Sequence, residues 1–264
     1  MIFTEEKMAI PKIGDFEVRS RLLLGSGKYR SNQEMMESVE SSGTSVVTAS
    51  LRRMDLGKGE SLLKPLLENK NITILPNTAG ARSAEEAVFY AELAYESGLP
   101  KWVKLELTPE PRYLLPDPVE TLKATEILVK KGFTVLPYIN ADPMLALRLQ
   151  DAGAATVMPL AAPIGTNKGL LMSEMIRIII EQSRVPVVVD AGIGAPSDAA
   201  RAIEMGADFV LVNTAIATAK DPKMMGEAFK KAVEAASIAF EAGIPEKYIS
   251  AQASSPELDF IDKL

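Results

Sequence analysis

The chain has no cysteine and no histidine among its 264 residues, and a single tryptophan. Without Cys there is no disulfide, no thiolate nucleophile, no iron–sulfur cluster and no zinc–thiolate site. Without His there is no Ser-His-Asp triad and no imidazole-bound metal. Acid–base chemistry therefore falls to Asp, Glu, Lys or Tyr. Positive charge is also in deficit: 29 Lys and Arg against 35 Asp and Glu leave a net charge of −6. That balance argues against nucleic-acid binding, which runs on clustered cations. No apolar run approaches the roughly 18 residues of a membrane span. The opening segment has acids and a proline where a signal peptide needs an apolar core. The expectation is a cytoplasmic protein that neither crosses a membrane nor binds nucleic acid.

What is present is a good globular composition, 47% hydrophobic and 24% charged, at a length that α/β barrels often fill as one unit. One joint recurs: an amphipathic stretch, a glycine, then a short apolar run. It falls at Gly43, Gly98, Gly132, Gly153 and Gly206. Glycine just past a helix end adopts the left-handed conformation without a Cβ clash, so the joint reads as helix into strand. Strands are expected at 21–26, 45–50, 72–75, 102–107, 133–138, 155–160, 186–190 and 208–213, and helices at 59–70, 84–97, 118–131, 170–182, 196–205 and 222–242. Near-continuous apolar strands are those of a parallel sheet covered on both faces. The repeated βα unit predicts an α/β fold, a (βα)8 TIM barrel, rather than an open doubly wound sheet, whose Gly-x-Gly-x-x-Gly turn lacks its third glycine here. One domain over 1–264 is expected, with residues 1–20 covering the barrel bottom and an irregular tail at 248–264.

In such a barrel the loops after the strands build the active site. The fourth strand reads Trp102-Val103-Lys104-Leu105-Glu106-Leu107. Alternation puts Val103, Leu105 and Leu107 outward under the helices and Lys104 and Glu106 inward, where charge is costly. The chemical reading is an amine that forms a Schiff base with a carbonyl substrate; the plainer one is a buried ion pair that fixes the interior. A free lysine, pKa about 10.4, is neutral in roughly one molecule in 2,500 at pH 7. Desolvation would raise that fraction and an ionised Glu106 would lower it, so the pair is expected to titrate as a unit.

Asp190 ends the seventh strand and is followed by Ala191-Gly192-Ile193-Gly194, whose glycines let backbone N–H groups approach an anion. The eighth strand ends in Asn213-Thr214. Loops after strands seven and eight are the recurrent phosphate site of this fold, and ordinary turn and cap chemistry is the alternative. Gly165, in the long loop after the sixth strand, could present a further donor. Asn77-Thr78-Ala79-Gly80 is either a helix start or a substrate contact. Two features are set aside: Gly25-Ser26-Gly27-Lys28 lacks the remaining residues of a nucleotide P-loop, and Met35, Met36 and Val39 form a helix-core stripe. No acidic cluster has metal-binding spacing, so no metal is expected.

Taken together, Arg21-Leu22-Leu23-Leu24-Gly25-Ser26-Gly27-Lys28-Tyr29, Leu75-Pro76-Asn77-Thr78-Ala79-Gly80, Val103-Lys104-Leu105-Glu106, Leu114-Leu115-Pro116-Asp117-Pro118, Val157-Met158-Pro159-Leu160 with Ala162-Pro163-Ile164-Gly165, Val189-Asp190-Ala191-Gly192-Ile193-Gly194 and Val212-Asn213-Thr214-Ala215-Ile216-Ala217 resemble the bacterial thiazole synthases of thiamine biosynthesis. The resemblance runs from about residue 12 to about residue 240. Ala81 and Ser26 stand where the family commonly has Cys and Thr. The resemblance implies a cofactor-free condensation of 1-deoxy-D-xylulose 5-phosphate, dehydroglycine and the thiocarboxylate sulfur of a small ubiquitin-like carrier protein, giving a thiazole phosphate carboxylate. It implies Lys104 as the imine-forming residue, Glu106 and Asp190 as acid/base carboxylates, and Gly165, Ala191, Gly192, Asn213 and Thr214 as sugar-phosphate contacts. It also implies a homo-oligomer, dimer or tetramer. Two alternatives share the same motifs: a Schiff-base aldolase for a sugar phosphate, and a phosphate-binding barrel that scaffolds the carrier without chemistry.

Overall fold

Helix starts are written locally. Asp117-Pro118, Asp142-Pro143 and Asp221-Pro222 each place a carboxylate at the N-cap and a proline in the first turn. All five recurring joint glycines take a positive φ, from 64° at Gly43 to 100° at Gly206. These signals punctuate the chain, and the computed structural model, which describes residues 12–50, 64–246 and 248–251, follows them. The elements run β1 (Leu22–Gly25), α1 (Asn32–Ser42), β2 (Val46–Ser50), α2 (Lys64–Glu68), β3 (Thr73–Asn77), α3 (Ala84–Glu96), β4 (Trp102–Leu105) and α4 (Pro118–Lys130). They continue with β5 (Thr134–Ile139), α5 (Pro143–Asp151), β6 (Met158–Pro159), α6 (Ser173–Gln182), β7 (Val188–Val189), α7 (Pro196–Glu204), β8 (Phe209–Val212), α8 (Thr214–Ala217) and α9 (Pro222–Ala242).

The eight strands pair in parallel in the order β6-β5-β4-β3-β2-β1-β8-β7. Parallel bridges Val157–Val187 and Leu160–Asp190 join the two ends, so the sheet closes on itself as the expected (βα)8 barrel. Period-2 alternation sorts the side chains. Leu23, Val46, Leu75, Trp102, Leu136, Met158, Val188 and Phe209 fill the interior, while Leu22, Leu24, Val47, Val189 and Val210, with Val103, Leu105 and Leu107, pack under the helices.

The interior is plugged from below. Ile13 and Val18 join the inner cluster, and the Phe16 ring stacks on Trp102 at 4.2 Å between centroids. Trp102 donates its indole N–H to the Ile74 carbonyl at 2.8 Å, so the large ring is buried without an orphaned polar group. With the lower end of the barrel filled, the C-terminal ends of the strands are left to form the cavity.

Some boundaries differ from expectation. Continuous pairing in strands six and seven narrows from the expected 155–160 and 186–190 to two residues each, flanked by single bridges; Pro159 has no N–H to donate to a ladder. The helix expected from 170 begins at Ser173. Of the helix expected at 59–70, residues 59–63 lie outside the described residues, as do 1–11 of the N-terminal cover and 252–264 of the tail.

Candidate active site

β4 delivers Lys104 into the barrel by the alternation that sends Val103 and Leu105 outward, and Glu106 follows two residues on. Asp190 arrives from across the barrel at the end of β7. The three are 4%, 8% and 2% exposed. Lys104 Nζ lies 2.5 Å from Asp190 Oδ2 and 3.7 Å from Glu106 Oε2. The Tyr138 ring of β5 stands 5.3 Å from the same nitrogen. The structure thus brings together the three residues singled out for chemistry, at the end of the barrel where active sites of this fold sit.

Each member is fixed by its backbone. Thr78 Oγ1 accepts the Glu106 N–H at 2.8 Å and donates to the Glu106 carbonyl at 2.9 Å. That double clamp locks the end of β4 and so the start of the Glu106 side chain. Asp190 Oδ1 accepts the N–H of Ala191 at 2.6 Å, which leaves Oδ2 for the amine. Ala191 takes φ 53° and Gly192 φ 72°, a left-handed pair that turns the chain sharply behind Asp190. The four non-glycine residues with left-handed φ among the described residues are Lys28, Leu114, Asn167 and Ala191, and all four line the same cavity. Strain of this kind gathers at functional sites.

Electrostatics decides the resting proton positions. Burial disfavours the Lys104 ammonium, but the charges of Asp190 and Glu106 outweigh it and raise the pKa above the usual lysine value. Burial also lifts the Glu106 carboxyl above the usual range; Lys104 opposes this and Asp190 adds to it. Burial, helped by the two carboxylates, pushes the Tyr138 phenol far above its ordinary value, so it stays neutral. The amine is housed away from water as expected. Its two carboxylate neighbours favour the ammonium form, Asp190 more closely placed than Glu106.

Above these groups opens a cavity of about 490 Å3 lined by loops after β1, β3, β4, β6, β7 and β8. Gly165, Ala191, Gly192, Asn213 and Thr214 all lie on its wall. Their roles divide. A Cβ on Gly192 would run into Ala162 of the loop after β6, so the two loops meet there only because the residue is glycine. The amide hydrogens of Gly194 and Ala195 are taken by Asp198 Oδ2 at 3.0 and 2.9 Å, which fixes the first turn of α7 rather than facing a ligand. Asn213, with its amide oriented to satisfy its surroundings, donates to the carbonyls of Gly25 at 3.2 Å and Gly27 at 2.8 Å. In that orientation it holds the loop after β1.

Sequence reading missed three participants. Thr78, which the sequence reads as either a helix start or a substrate contact, is the clamp on Glu106, while Ser83 caps α3. Tyr138 carried no signal beyond its inward position on β5. Lys28 belongs to an incomplete P-loop pattern, yet it lines the cavity just past the end of β1.

Comparisons with known proteins identify the family. A family model described as thiazole biosynthesis protein ThiG matches residues 12–256. The chain is 58% identical to a thiazole synthase of Syntrophobacter fumaroxidans, covering 92% of this chain and 95% of that protein. It is 56% identical to a thiazole synthase of Porphyromonas gingivalis, covering 97% and 99% respectively. Among solved structures, that of the Amycolatopsis orientalis BexX/CysO complex matches with a TM-score of 0.81 and 32% identity over 91% of this chain and 98% of the matched one. The aldolase and binding-barrel alternatives give way to these relatives: the chain belongs to the thiazole synthase family, enzymes that build the thiazole of thiamine.

Proposed function

We propose that this enzyme captures the ketone of 1-deoxy-D-xylulose 5-phosphate as an imine on Lys104, with Asp190 and Glu106 moving the protons. The observation that carries this reading is the buried amine 2.5 Å from one carboxyl group and 3.7 Å from another of raised pKa. In the resting site the ammonium gives a proton to Asp190 as the ketone enters. The freed amine adds to the carbonyl carbon, and the carbonyl oxygen takes up the proton that Asp190 received. Loss of that hydroxyl with a second proton, as water, leaves the imine, whose protonated form is an electron sink that needs neither His nor Cys. Proton removal from the neighbouring hydroxyl-bearing carbon gives an enaminol; protonation of the former imine carbon and loss of the hydroxyl proton to a carboxylate then leave an amine on the former imine carbon and the carbonyl one position along. That carbonyl carbon is then open to the sulfur nucleophile.

The remaining atoms come from dehydroglycine and from the thiocarboxylate of a small ubiquitin-like carrier, whose tail must reach the cavity mouth. The solved relative captured as a two-protein complex supports a carrier partner. The cavity's volume of about 490 Å3 suits a phosphorylated five-carbon sugar together with a small second reactant.

Mass spectrometry of the enzyme reduced with borohydride in the presence of the ketose phosphate tests the proposal. An adduct is expected on the peptide carrying Lys104; an adduct elsewhere, or none, refutes it. Lys104→Ala is expected to abolish turnover and, because it leaves the buried carboxylates of Asp190 and Glu106 without their cation, to lower stability until one of them takes up a proton.

A further inference from the structure

Three cations lie on the cavity wall, Lys28, Arg82 and Lys104. Lys104 is matched by Asp190 and Glu106. Among the described residues no ion pair engages Lys28 or Arg82, although the chain as a whole is acidic. Lys28 is the more constrained of the two. It takes φ 70°, a backbone conformation L residues rarely adopt. The loop that carries it is fastened at two points by Asn213, through the carbonyls of Gly25 and Gly27. The approach is so close that a Cβ on Gly25 would lie 2.6 Å from the Asn213 Cβ.

The result is a convergence from three strands. The Lys28 Nζ sits 2.9 Å from the point where a Cβ on Gly165 would stand, and Thr214 Oγ1 lies 3.8 Å from that same point. Lys28 follows β1, Gly165 follows β6 and Thr214 follows β8, so an ammonium, a glycine backbone and a hydroxyl face one spot on the rim. A phosphate monoester carries close to two negative charges at neutral pH. It gains from an ammonium as a point charge and from small residues that allow close approach.

We propose that Lys28 is the counter-cation of the substrate phosphate, and that Asn213 is a positioning residue that acts through the loop holding Lys28. This rests on the proposed function and adds a residue to it: the charge of the phosphate site comes from the β1 loop, not from the loops after β7 and β8.

Calorimetric titration of the full-length enzyme with 1-deoxy-D-xylulose 5-phosphate and with its dephosphorylated analogue tests it. Lys28→Met should weaken binding of the phosphorylated sugar about tenfold or more and leave the analogue unchanged. Lys28→Arg should restore most of the loss. Asn213→Ala should lose the same discrimination, and adding it to Lys28→Met should cost little more, as expected of two residues acting as a unit. In turnover assays both variants should raise KM for the ketose phosphate with little change in kcat. Equal weakening for both sugars, no weakening, or loss of the discrimination in Arg82→Met instead overturns the assignment. Lys28 is exposed at the rim, so its variants remain informative even if Asn213→Ala folds poorly. Borohydride trapping on the same samples keeps the two proposals apart. No adduct on Lys104 in the wild type refutes the imine, whereas an adduct with unchanged titrations in Lys28→Met refutes Lys28 alone.

Discussion

Replacing Asp190 by Asn separates the two things this carboxylate does, pairing with a buried ammonium and accepting its proton. Removing one partner of a buried ion pair typically destabilises by about 3–5 kcal/mol, because the other charge is left uncompensated. Glu106 at 3.7 Å still pairs with the ammonium, which places the expected loss at the lower end, about 3 kcal/mol. For a domain of this size that is roughly 6–12 °C in Tm. The loss should depend on pH with a definite sign. In the wild type the raised Lys104 pKa contributes stability that is fully present below the ordinary lysine value and is lost as pH rises through the folded-state value. In Asp190→Asn the largest raising influence is gone and burial dominates, so folding disfavours the ammonium. The variant should therefore be penalised more at pH 6 than at pH 9, where the amine deprotonates readily.

Thermal melts of both proteins at pH 6, 7.5 and 9 measure this directly. The activity consequence runs the other way. A more readily neutral amine should still be reduced onto the ketose by borohydride at neutral pH, while complete turnover falls by about 10²–10⁴-fold for want of the proton acceptor. A Tm deficit that stays constant from pH 6 to pH 9, or a variant that neither traps substrate nor turns it over, would refute the assignment of Asp190 as the proton partner of Lys104.

Glu106→Gln tests the neighbouring carboxyl. Its raised pKa means the protonated form stabilises the fold below the ordinary carboxyl value, and that contribution is lost as pH rises through the folded value; the Tm of the variant relative to wild type should thus climb between pH 5 and pH 8, and a flat or falling difference would contradict it. Thr78→Val strips the clamp from a buried N–H and C=O of Glu106 and should lower stability by about 1–3 kcal/mol in a denaturant titration, with Thr78→Ser recovering most of it. Ala191→Gly should behave unlike an ordinary alanine-to-glycine change, which costs about 0.5–1 kcal/mol in a regular element: at φ 53° the left-handed strain it relieves offsets the added chain entropy, so an unchanged or higher denaturation midpoint is expected.

The part of this molecule that could be read along the chain is the part governed by neighbours in sequence. Lys104 and Glu106 pointed inward because Val103, Leu105 and Leu107 had to point out, and that alternation needs only six consecutive residues. The joint glycines and the Asp-Pro helix starts are equally local. What the chain did not disclose are choices between residues far apart. Asp190 stands 86 positions from Lys104 in the chain yet only 2.5 Å away in space, and its charge opposes the desolvation that would favour the neutral amine. Asn213 could equally have faced a ligand or a backbone; the closeness of Gly25, with no room for a Cβ between them, commits it to the backbone. Lys28 sits in a motif incomplete as a nucleotide loop, and only the closing of the barrel through β6, β7, β8 and β1 brings it beside Gly165 and Thr214. Strand periodicity thus identifies which side chains enter a barrel mouth, whereas their protonation and their partners are set by the ring of strands closing, a constraint that no window of sequence contains.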